Sequence, residues 1–113
     1  MVACDYVGVV SGGTVPDKFS KPGFHASKSE HVDASLIDEL PLVMECTVKS
    51  LENGMLIGEI VNVSADETVL TEGKLDMQKL KPISYDPFVI AYYTVGEKVG
   101  NAFKNGLQFK KFL

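Results

Sequence analysis

"PLVMECTVKSLENGMLIGEIVNVSADE", residues 41–67, consists of two strand-like runs on either side of Asn53-Gly54. Asn-Gly between alternating apolar runs is a strong hairpin signal, because both central residues of a type I′ turn need positive φ. With Asn53 and Gly54 as the loop, Glu52 faces Met55, Val48 faces Glu59, Cys46 faces Val61 and Met44 faces Val63. One face then carries Met44, Cys46, Val48, Val61 and Val63, the pattern of a core face. The other carries Glu45, Thr47, Lys49 and Asn62, with Leu51, Leu56 and Ile60 among them. A hairpin this long with one buried face belongs in a barrel or sandwich, since a lone hairpin is marginal in water.

Glu59 breaks the pattern, because this register puts a carboxylate among Met44, Cys46 and Val61. A buried carboxylate must be paired, hydrogen-bonded or protonated. Two readings are open. Either a bulge or a strand end at a barrel rim turns Glu59 outward, or the carboxylate fixes a loop or a partner subunit from within.

Upstream of the hairpin, residues 23–40 are mixed and polar and read as short strands and loops. Residues 16–22 (Pro-Asp-Lys-Phe-Ser-Lys-Pro) allow at most one helical turn, because the second proline disfavours helix at Lys21. Before them, "DYVGVVSGGTVPDKF" (5–19) joins an apolar run to a Gly-rich loop, with only four residues ahead of it to support that loop.

Downstream, Asp76 is a plausible N-cap for a turn of helix ending before Pro82. "FVIAYY" (88–93) is a β-rich run and reads as a strand. In "TVGEKVGNAFKNG" the spacing puts Val95, Val99, Ala102 and Phe103 on one side of a short helix, opened by Thr94 or Gly96 and closed before Gly106. The fold class is mainly β, with short helices.

The chain has 113 residues, enough for one small domain. Its 45% hydrophobic and 23% charged residues are those of an ordinary globular domain. A net charge of −4 gives no electrostatic reason to expect nucleic-acid binding. Lys104, Lys110 and Lys111 make a short basic tail that reads as solvated. No apolar run reaches the ~20 residues of a membrane-spanning helix, and no signal peptide is legible. Cys4 and Cys46 lack the spacing of a disulfide framework, so the expected location is the cytoplasm.

His25 and His31, with Glu30 and Asp33 nearby, fit no compact zinc spacing and read as a solvated loop. "SGGTVPDK" lacks the ending of a P-loop. The Ser11-Gly12-Gly13 turn is either only a turn or a set of backbone N–H groups for an anion, with Lys18 as the nearby cation. Tyr85, Phe88, Tyr92 and Tyr93 can stack on a planar ring or serve as packing.

Five segments in order carry a resemblance: "DYVGVVSGGTVPDKF" (5–19), "LPLVMECTV" (40–48), "LIGEIV" (56–61), "DMQKLKPISYDP" (76–87) and "YYTVGEKVGNAF" (92–103). Together they resemble the C-terminal part of the flavoredoxin group of flavin reductase-like, FMN-binding split-barrel proteins. The resemblance implies an antiparallel split barrel built as a homodimer, with FMN near the subunit interface. It also implies electron transfer through FMN, to free flavin or to a redox partner. Ser11, Gly12, Lys18 and Phe19 would belong to the FMN-side loop, with Lys18 as the charged contact. Tyr85 and Tyr93 would lie near the flavin or the dimer contact.

The sequence departs from the family twice. Family members often carry a Gly-Asp-His-Thr-like turn whose His approaches the flavin. Here Glu52-Asn53-Gly54 is one residue shorter, so that contact is lost or passes to Asn53. In the family a whole N-terminal section precedes the Ser-Gly loop, so residues 1–113 read as one split-barrel domain, truncated at its N-terminus and incomplete as a barrel. Two functions are therefore carried forward. One is an FMN-dependent oxidoreductase of flavoredoxin type. The other is a non-catalytic half-barrel that self-associates and no longer binds FMN.

Overall fold

The computed structural model describes residues 1–112, with side chains described through Lys110. The side chain of Lys111, part of the basic tail, lies outside them. Two compact units divide the chain, one over Met1–Leu80 and one from Lys81 onward. The described strands form four separate antiparallel pairs, none of them closed into a barrel. The architecture is mainly β with short helices, as the sequence predicts.

The first unit is organised by the expected hairpin, β3 (Leu42–Glu52) and β4 (Met55–Ala65). Asn53 has φ 53° and Gly54 φ 74°, the left-handed values the turn requires. The ladder begins as expected, with Glu52 opposite Met55, and ends as expected, with Met44 opposite Val63. Between them it differs. Val48 lies opposite Gly58, not Glu59, and Cys46 lies opposite Ile60, not Val61. Two bulges cause this: Lys49 is the extra residue on β3 and Val61 the extra residue on β4. Each slips the register by one, in opposite senses, so they cancel by Met44.

Because side chains alternate, that local slip re-sorts the faces. Leu42, Met44, Cys46, Val48 and Leu51 now share a face with Leu56, Gly58, Ile60, Val63 and Ala65, ten positions with no charge. The other face carries Val43, Glu45, Thr47, Ser50, Glu52, Met55, Ile57, Glu59, Asn62 and Ser64. A Cβ on Gly58 would come within 3.2 Å of the Cys46 Cβ, so the strands approach closely there. The expected burial of Met44, Val48, Val61 and Val63 is not found: all four are exposed. Burial falls on the polar face instead, where Glu45 is only 4% exposed.

The elements around the hairpin are short. The first, α1 (Val2–Val9), is a helix formed by the very residues that precede the Gly-rich loop. β1 (Ala26–Lys28) pairs with β2 (Ser35–Ile37), as expected of residues 23–40. β5 (Leu70–Thr71) and β6 (Lys74–Leu75) make a small hairpin around Glu72 and Gly73, both at positive φ. α2 (Met77–Leu80) starts where expected: Asp76 accepts from the Gln78 N–H at 2.9 Å, and Pro82 follows the helix. Among the described residues the buried apolar side chains are Phe24 and Val69, a very small core.

The second unit pairs β7 (Ile83–Asp86) with β8 (Ala91–Thr94). The strand expected at 88–93 therefore begins only at Ala91. Asp86 accepts from the Phe88 N–H at 2.8 Å and starts a turn over residues 87–90, which leaves Phe88 94% exposed. The expected helix over 94–106 is also absent. Residues 95–100 are irregular, Val99 and Phe103 are fully exposed, and a 3-10 helix spans Asn105–Phe112. Gly96 and Gly100 each disfavour helix by ~1 kcal/mol, and the Asn105 side chain takes the Asn101 N–H at 2.5 Å.

Candidate functional site

The Gly-rich loop is built back onto α1. The helix ends at Val10, which is extended, and its last carbonyls need donors from elsewhere. The Lys18 ammonium supplies them, donating to the Val7 carbonyl at 2.9 Å and the Val10 carbonyl at 3.0 Å. An ammonium has three N–H donors, so one is left for another acceptor. The Lys18 stem crosses Gly12, where an added Cβ would lie 3.7 Å from Cε. Ser11, Gly12 and Lys18 are thus brought together. Phe19 follows and packs on Phe24, with ring centroids 5.7 Å apart.

The loop's own N–H groups are largely turned inward. The Gly13 N–H donates to Ser11 Oγ at 3.2 Å, while those of Thr14 and Val15 donate to the Ser11 carbonyl. An anion-binding nest over Gly13–Val15 is therefore not what this turn forms. Within residues 5–19 the one cation is Lys18. Beside α1 an apolar cleft of about 400 Å³ is lined by Val2, Ala3, Tyr6, Lys21 and Pro22.

The remaining sequence candidates belong to other elements of the chain. Asn53 sits in the hairpin turn, on a shallow pocket of about 170 Å³ with Ser50, Glu52, Met55 and Ile57. In the second unit Tyr85 faces Tyr92 across the ladder, with ring centroids 5.7 Å apart. Tyr93 faces Ser84, one position along, so its side chain is on the opposite face from Tyr85. The two tyrosines do not form one wall.

Sequence reasoning missed the polar cluster at Glu45. Ser29 Oγ donates to one carboxylate oxygen and Asn62 Nδ2 donates to the other at 2.5 Å. His31 Nδ1 lies 3.4 Å away. Ser29 Oγ also accepts the backbone N–H groups of His31 and Val32, so one carboxylate pins the whole 29–32 loop to β3. The hydrogen bonds from Ser29, then Asn62, hold the Glu45 carboxyl below the usual carboxylate range, against the opposing effect of burial, and His31 adds to the lowering. The only hint in the sequence was a polar position in "VMECTV", which any outward strand residue would give.

His25 has a comparable but exposed partner. Glu39 accepts its backbone N–H at 2.5 Å and contacts its Nδ1 at 2.9 Å, which lowers the Glu39 pKa. Each histidine thus contacts a carboxylate, His25 that of Glu39 and His31 that of Glu45 on β3. Among the described residues no three His, Cys, Asp or Glu side chains are grouped to hold a metal ion, and no helix is long and apolar enough to cross a membrane.

No protein-family model matches the chain, and no curated protein does. Solved structures do. Flavoredoxin of Desulfovibrio vulgaris (Miyazaki F) matches 94% of this chain and 58% of its own, with 35% identity and a TM-score of 0.87. Flavoredoxin from Methanosarcina acetivorans matches 93% of this chain and 57% of its own, with 34% identity and a TM-score of 0.79. An FMN-binding domain of a flavin reductases-like enzyme from Shewanella baltica OS155 shares the fold at 17% identity, over 86% of this chain and 55% of its own, with a TM-score of 0.70. The chain spans less than two thirds of the length of each.

Proposed function

Because this chain belongs to the flavoredoxin group of flavin reductase-like, FMN-binding proteins, we propose that it forms part of an FMN-holding, electron-transfer oxidoreductase with a split-barrel fold. The observation that carries the reading is the similarity to two flavoredoxins over more than nine tenths of the chain. FMN, when bound, supplies the hydride and electron chemistry, and the protein supplies position and charge.

Lys18 is the residue we assign to an anionic group of the flavin. Two of its donors are fixed on α1, so the ammonium is already oriented and little side-chain freedom is left to lose on binding. Ser11 and Gly12 would form the wall beside it. The proposal extends to residues 1–113 as a single split-barrel domain, assembled as a homodimer. A cytoplasmic location belongs to the same proposal, supported by the free thiols Cys4 and Cys46.

Titration of the purified protein with FMN, followed by flavin fluorescence and visible absorption, tests the reading. Saturable binding that weakens in Lys18→Met supports it. Protein that stays colourless with excess FMN and shows no saturation overturns it, and returns the non-catalytic half-barrel as the function. Sedimentation measures the homodimer separately.

A further inference from the structure

Two asparagines of the chain, Asn53 and Asn105, precede a glycine. Glycine has no side chain to shield its backbone nitrogen from the carboxamide before it. Both asparagines are exposed, so exposure does not separate them. Their local structure does. Asn105 opens the 3-10 helix, and its Oδ1 accepts the Asn101 N–H at 2.5 Å. A Cβ added at Gly100 would lie 3.7 Å from the Asn105 Cγ, so that carboxamide is held against the chain. Among the described residues the Asn53 side chain has no hydrogen-bond partner. Chain neighbours apart, no heavy atom lies within 4 Å of where a Gly54 Cβ would stand.

The turn is also one rotation away from the geometry of attack. Asn53 has φ 53°, a value common to the first central residue of type I′ and type II′ turns. The two types differ there in ψ, about +30° against about −120°. At the second value the Gly54 nitrogen approaches the Asn53 Cγ. Reaching it turns the Asn53–Gly54 peptide plane and takes Gly54 from φ 74° to negative φ, which glycine tolerates. The Glu52–Met55 pair beneath the turn can stay closed meanwhile.

We propose that Asn53 is a self-modification site, converted in the folded protein to isoaspartate and aspartate through a succinimide. The Gly54 nitrogen bonds to the Asn53 Cγ and loses its proton, the Cγ–Nδ2 bond breaks, and ammonia leaves. Water then opens the ring. Opening at the backbone carbonyl gives isoaspartate, opening at the side-chain carbonyl gives aspartate, and nothing is oxidised or reduced. The new carboxylate adds one negative charge to the net −4, beside Glu52 on the same shallow pocket. Isoaspartate also lengthens the main chain of a two-residue loop by one methylene, which disturbs the turn that sets the hairpin register. The site is independent of flavin binding.

The test is to incubate the purified protein at mildly alkaline pH, folded or in concentrated urea, and to follow its tryptic peptides by mass spectrometry. Trypsin puts Asn53 in peptide 50–74 and Asn105 in peptide 105–110. In the folded protein, conversion of Asn53 is expected to exceed that of Asn105 by about fivefold or more, the factor that one hydrogen bond to be broken at Asn105 corresponds to. In urea the ratio should fall towards one. The Asn53 product should accept a methyl group from an isoaspartyl methyltransferase. Asn53→Gln should leave peptide 50–74 unconverted, which excludes Asn62 as the source. Folded protein that converts both sites equally, converts Asn105 faster or leaves Asn53 intact overturns the proposal.

Discussion

The Lys18 ammonium donates to the Val7 carbonyl 2.9 Å away, tying the Gly-rich loop to the end of the helix before it. With the second bond to Val10, one side chain both caps α1 and sets the position of the loop's only cation. Replacing Lys18 by Met is expected to destabilise the first unit by about 1 kcal/mol, the usual worth of such helix-end contacts. Lys18→Arg should recover part of it. Amide exchange over residues 2–10 checks this, as those protons should exchange faster in the Met variant.

Glu45 gives a pH dependence of known sign. Its folded pKa is lowered, so its contribution to stability is present above the ordinary carboxylate value, 4.5, and is lost as pH falls through the folded value. Glu45→Gln should be less stable than the parent near neutral pH, with the gap closing below about pH 4.5. Thermal midpoints measured from pH 7 to pH 3 test this. A constant gap would show that shape, and not charge, governs the cluster.

Glu59 should behave differently. Its partner is Lys49 at 2.5 Å, on the polar face, and both side chains are more than half exposed. Exposed ion pairs are worth ~0–1 kcal/mol, so Glu59→Gln should change stability by less than that, and less still in high salt. A larger loss would mean that the bulge at Lys49 depends on the pair.

The small core makes a sharp prediction of its own. Phe24 is buried and meets Phe19, and Phe24→Ala should cost roughly 3 kcal/mol, the lower part of the range for truncating a core phenylalanine. Phe88→Ala, at a fully exposed turn, should cost little in the same denaturation experiment.

The chain by itself determined the features that depend on neighbours in sequence. Asn53-Gly54 is the one point in 41–67 where two consecutive residues accept positive φ, so the turn and both strands follow from it. Asp76 and Pro82 bound α2 for equally local reasons. The resemblance to flavoredoxins was also legible, because motifs survive as residue order. The helix at Val2–Val9 was not, since its apolar run has no clear period and a lysine eight residues beyond its last turn's end caps it.

Only tertiary structure decided the faces of the hairpin. Two compensating bulges leave the turn and the far end in register, so no count from Asn53 reveals them, yet they move Glu59 out and Leu51, Leu56 and Ile60 across. It also decided which carboxylate is buried. Glu45 and Glu59 look alike in sequence, and what separates them is Ser29, sixteen residues away, reaching one and not the other. Side-chain alternation is a local rule, whereas the bulge that shifts it and the donor that pins a carboxylate are set by contacts between distant segments.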